Sequence, residues 1–123
     1  MTIAAGAGLF AASLAAAAGT YTDAQLGLAD RIGAAVALSR ICTGTVPTTA
    51  VVSALEAGGL TQDDVLGDTP IRRRMQRGAA AVLAESQRKR GAGLPQADIV
   101  KAACEAYRAS FGPDGALTGS TPQ

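Results

Sequence analysis

The chain holds two cysteines, Cys42 and Cys104, and each sits in the middle of its own amphipathic helical pattern. Ahead of both runs a stretch from Ile3 to Ala18 without a single charged side chain. Two inward-facing thiols on neighbouring helices can be bridged, and such a bridge persists where the surroundings are oxidising. The pairing therefore predicts an all-α fold, a small bundle of four to five helices stapled by a disulfide between Cys42 and Cys104. A bridge closing a loop of this length stabilises a chain by roughly 4 kcal/mol in the chain-entropy account, a large share of a small domain's net stability. The competing reading is two buried free thiols that behave as small hydrophobes in a reducing cytosol.

Composition supports helices over strands. Aromatic residues make up 3% of the 123 residues, with no Trp, two Phe and two Tyr, so packing falls to Ala, Leu, Val and Ile. Small side chains allow close helix contacts and supply little of the aromatic and β-branched surface that strands use. Eleven basic and ten acidic residues leave a charge of +1, a balance that favours neither nucleic acid nor acidic substrates overall. Histidine is absent, which removes Ser-His-Asp and Cys-His catalysis and the commonest nitrogen ligand of metals.

The order of signals divides the chain into three parts. Residues 1–20 read as a signal peptide or an apolar N-terminal helix, with Ala15, Ala16, Ala17, Ala18 and Gly19 fitting a small-residue cleavage site. Met1-Thr2-Ile3 lacks the basic start such signals carry, and the run is short and Ala-rich for a bilayer span, so a membrane or assembly anchor and a packed helix stay open beside it. Residues 21–112 read as the helical domain, and 113–123 as a flexible tail after a Phe111-Gly112-Pro113-Asp114-Gly115 turn.

Within the domain, Thr22 with Gln25 forms a capping box, and Leu28, Ile32, Ala35, Val36, Ser39 and Cys42 mark one face up to a stop at Gly44, with Asp30 and Arg40 lying elsewhere. Pro47 starts a shorter helix whose apolar side is Val51, Val52 and Leu55, closed by Gly58-Gly59. Thr61 and Asp64 repeat the box over one turn ending near Gly67. Thr69-Pro70 opens a long helix with Ile71, Met75, Ala79, Val82 and Ser86 in line, ended by Gly91 and Gly93. Leu94-Pro95 opens the last, carrying Ile99, Val100, Ala103, Cys104 and Tyr107. Tyr107 and Phe111, four apart, fit a seal on the core beside Cys104.

One cluster of charge stands out. Arg72, Arg73, Arg74, Arg77, Arg88, Lys89 and Arg90 place seven of the eleven basic residues on one helix, a surface able to meet an acidic protein, anionic lipid or nucleic acid. Arg88 to Arg90 also suit the negative end of a helix, and Asp63, Asp64 and Asp68 are near enough in sequence to pair internally. Those aspartates lack the spacing of a calcium loop, and Glu56, Glu85 and Glu105 fall at solvent-facing positions with no partner acid. No catalytic residue, metal site or cofactor is expected. Gly6 and Gly8 give a short G-x-G without the Lys-Ser/Thr of a phosphate loop.

These signals predict a small exported protein, periplasmic, secreted or envelope-associated, that acts without enzymatic chemistry as an interaction protein or accessory subunit. A protein partner is expected, membrane association through residues 3–18 is allowed, and nucleic acid is disfavoured because no aromatic residue accompanies the arginines. The alternative is a cytoplasmic helical nucleic-acid-binding or assembly module, viral in some settings, using the Arg-rich helix 70–90.

Overall fold

A computed structural model describes residues 20–111. The segment Ile3–Ala18, its small residues up to Gly19, the Gly112–Gly115 part of the turn and the tail 113–123 lie outside the described residues. The chain is all-α, with five helices among the described residues: α1 Asp23–Thr43, α2 Thr48–Ala57, α3 Gln62–Leu66, α4 Pro70–Gly91 and α5 Gln96–Phe111. None is long and apolar enough to cross a membrane.

Local chemistry sets most of the boundaries. The Gln25 amide donates to Thr22 Oγ1 and the Thr22 amide to Gln25 Oε1, each at 3.0 Å, closing the capping box of α1. At its other end Gly44 takes φ 80°, a left-handed value that L side chains resist. Asp64 completes a second box at α3, where its Oδ2 accepts from the Thr61 amide at 2.8 Å. Thr69 caps α4 by accepting from the Arg72 amide at 3.1 Å, with Pro70 in the first helical position, where its missing N–H costs nothing. Of the pair closing α2, only Gly59 is left-handed, at φ 77°.

The core gathers on α1. Ala29, Ile32 and Ala35 pack with Ala54 and Leu55 of α2, with Leu60, and with Ile71 of α4. Ile32 and Ile71 are fully buried, each contributing roughly 1.5–3 kcal/mol. Val52, expected on the apolar side of α2, is instead 44% exposed. Val51 and Leu55, four residues apart, occupy the buried stripe, and Val52 lies about 100° further round. Helix α5 continues through Phe111, which packs against the core, and the Phe111 ring lies 5.6 Å from that of Tyr107.

Two fasteners hold the long helices. Cys42 and Cys104 form the expected disulfide, joining the end of α1 to the middle of α5 across a Cα separation of 4.9 Å. Both residues are half-buried. The second fastener is a backbone contact between α1 and α4. A Cβ placed on Gly33 would sit 2.0 Å from the Met75 carbonyl oxygen, and one on Gly78 would sit 2.1 Å from that of Asp30. Both glycines are buried, and the two helices touch main chain to main chain because neither carries a side chain there.

Candidate functional site

Helices α4 and α5 both pack on α1 but barely on each other. The space between them is a groove of about 650 Å³, the size class of ligand and peptide clefts. Its floor is made of small and aliphatic side chains: Ala34 and Leu38 from α1, Gly78 and Val82 from α4, Ile99 and Ala103 from α5. Ala81 and Ala106 line its sides and are exposed. Alanines reach only one carbon from the backbone, so the gap is left unfilled where larger side chains would close it.

Charged groups rim the groove. Asp30 Oδ2 lies 3.5 Å from Arg74 Nε and 3.4 Å from Arg77 Nη2. Asp30 therefore stands at the α1/α4 contact, a correction to its placement away from the packed face, and one carboxylate answers two guanidiniums. Glu85 is paired with Arg88, whose hydrogen bond holds the Glu85 carboxyl below its ordinary range. Arg31 and Lys89 also line the groove, and neither has a carboxylate oxygen within 4.0 Å among the described residues.

The basic cluster is partly spent inside the molecule. Arg72 donates to the Leu66 carbonyl at 3.3 Å, and Arg73 pairs with Asp68 at 2.8 Å. With Arg74, Arg77 and Arg88 ion-paired as above, Arg72, Lys89 and Arg90 are, among the described residues, the members of the seven without a carboxylate within 4.0 Å. The seven do not form one patch, since Arg74 and Arg77 turn toward α1 while Arg73 reaches back to the α3–α4 turn.

Asp64 takes no part in balancing the arginines. Its Oδ1 accepts from the Tyr21 hydroxyl at 2.6 Å, tying the entry of α1 to α3. The Tyr21 hydroxyl and then the Thr61 amide hold the Asp64 carboxyl below its usual range, while the Tyr21 phenol is pushed up chiefly by the same bond. Gln25 adds a second tie, its Nε2 donating to the Gly58 carbonyl at 3.1 Å. Ser39, fully buried, donates to the Thr45 carbonyl at 2.5 Å. Each of these polar groups is explained by holding one segment to the next. Glu56 and Glu105 are exposed, and no three potential metal-ligating side chains converge among the described residues.

Comparison with descriptions of protein families, with curated proteins and with solved structures finds no match to this chain. Sequence reasoning missed the groove and the glycine contact that sets one of its walls. The available signal was Gly33 and Gly78 themselves, each in the interior of a long helix where Gly costs about 1 kcal/mol relative to Ala.

Proposed function

We propose that this chain is an exported, non-enzymatic docking protein, an accessory subunit that works in the periplasm or outside the cell by presenting a rigid helical surface to a protein partner. The observation that carries this reading is the Cys42–Cys104 bridge clamping α5 to α1 beside an open, apolar-floored groove. A covalent clamp fixes the wall of a docking site without a large core, and disulfides persist outside the reducing interior. The carboxylates are spent on caps and ion pairs or face solvent singly, which favours steric and electrostatic docking over acid–base chemistry. The ion pairs of Arg73 with Asp68 and of Arg74 and Arg77 with Asp30 offset part of the positive charge and so weaken the alternative of a nucleic-acid module on helix α4.

The test is intact-mass measurement of the protein recovered from its native cell, after separation of the envelope and cytosolic fractions. The reading expects an envelope or extracellular fraction and a mass two hydrogens short of the reduced chain. A fully reduced chain in the cytosol overturns it.

A further inference from the structure

We infer that the groove between α1, α4 and α5 is a receptor for an amphipathic partner helix with a small-residue apolar face and an acidic flank. This inference rests on the docking reading above and adds the face used and the chemistry of what binds it. Three features of the groove point to a helix. Its wall on α4 runs from Arg77 to Lys89, about 18 Å at 1.5 Å per residue, the length of a three-turn helix. Its floor is apolar and its sides are alanine, so a visiting backbone comes close without meeting long side chains. The groove is the fourth position in a bundle whose other three long helices already surround it.

Charge selects the flank. Of the five charged residues on the rim, Asp30 is taken up by Arg74 and Arg77, and Glu85 by Arg88. Arg31 and Lys89 are the rim charges without a carboxylate oxygen within 4.0 Å among the described residues, Lys89 acting on Glu85 only from farther off, and both are positive. An acidic flank meets them, whereas a basic flank meets like charge.

The experiment uses the full, disulfide-bonded chain carrying a photoreactive benzoylphenylalanine in place of Ala81, an exposed groove residue. The probes are two synthetic helical peptides of about 18 residues, long enough to hold helix. They share an Ala/Leu face and differ only in carrying Glu or Lys on its flanks. The expected result is saturable binding of the Glu peptide with crosslinking at position 81, loss of that binding in Ala106→Trp, and weaker binding of the Lys peptide. Joint reversal of Arg31→Glu and Lys89→Glu should lower Glu-peptide affinity about five- to tenfold at low salt and raise that of the Lys peptide. Circular dichroism of each variant checks that the fold is kept.

Equal binding of the two peptides, or no saturable binding of either, overturns the inference. So does crosslinking at position 81 only to residues 3–18 of the same chain or to a second copy. None of these outcomes bears on the export and redox state, which the mass measurement reads separately, so the groove can fail while the docking reading stands.

Discussion

The contact at Gly33 and Gly78 makes the sharpest prediction, because two opposed effects of one methyl group can be weighed. In an unobstructed helix interior, Gly→Ala stabilises by up to about 1 kcal/mol through helix propensity and a stiffer unfolded chain. Gly27 on the same helix provides that situation: an added Cβ there finds only the tip of Arg31, 3.4 Å away. At Gly33 the same Cβ would lie 2.0 Å from the Met75 carbonyl oxygen and 2.6 Å from its carbon. These are backbone atoms, so no rotamer change relieves the overlap. The helices must separate by more than 1 Å for a normal contact, and a gap of 0.5–1 Å already forfeits roughly a quarter to a half of the dispersion attraction across an interface. Ile32 and Ile71 lie fully buried beside it and would share the loss.

Overpacking of this kind costs roughly 1–3 kcal/mol and more when the backbone must move, so it outweighs the propensity gain. Gly33→Ala and Gly78→Ala are each expected to destabilise by about 2–3 kcal/mol, while Gly27→Ala is neutral or stabilises by up to about 1 kcal/mol. Urea unfolding followed by far-ultraviolet circular dichroism, with the disulfide intact, measures all three. The double variant should lose less than the sum of its parts, since the first methyl already holds the helices apart. Gly33→Ala as stable as Gly27→Ala would refute the reasoning outright.

Removal of the bridge by Cys42→Ser with Cys104→Ser should cost about 4 kcal/mol, given the 62-residue separation, and unfolding midpoints with and without reductant in the native chain should differ in the same sense. Tyr21→Phe should cost about 1 kcal/mol at neutral pH, where Asp64 is ionised and accepts the hydroxyl. Because that bond lowers the folded Asp64 value beneath the unfolded one, its contribution is complete above pH ~4 and disappears as pH falls through the folded value. The gap between native chain and Tyr21→Phe should therefore narrow on acidification, and a gap unchanged between pH 7 and pH 2 would exclude the linkage. Asp30→Asn leaves Arg74 and Arg77 facing each other without their shared carboxylate, and a loss of about 0.5–1 kcal/mol, smaller in high salt, is expected in the same urea assay.

How much of this was legible in the chain depends on the range of each interaction. The caps at Thr22, Thr61 and Thr69 and the stop at Gly44 act within four residues, and their residue types carry the geometry with them. The disulfide was legible because only two cysteines exist and each fell on a helical face. The bond from Tyr21 to Asp64 spans 43 positions and left no mark, since either residue is ordinary at a helix start. Gly33 and Gly78 give no signal of their partner helix, because a helix-interior glycine reads as a local cost whose compensation is visible only with the second helix in place. The groove is hardest of all. Ala34, Ala81 and Ala106 are good helix formers wherever they sit, and nothing in an alanine-rich pattern separates a contact from a gap.

The two fasteners account together for a groove that a core this small would otherwise close. Main-chain contact at Gly33 and Gly78 fixes α4 against the middle of α1, and the bridge fixes α5 at its far end. Helix α5 fully buries Ile99 and Ala103 and sets the half-buried Phe111 against the core, an apolar attachment of a few kcal/mol, comparable with the cost of ordering a few of its residues. Packing alone would let α5 swing inward onto α4, where the half-buried Val82 and the exposed Ala81 offer further apolar surface. The bridge at Cys104 opposes that collapse because it ties the middle of α5 to α1. Reduction should therefore act first on α5, raising amide exchange across residues 96–111 while the α1–α4 pair stays protected, and simultaneous loss of protection in all three helices would show that the groove is held by the core instead.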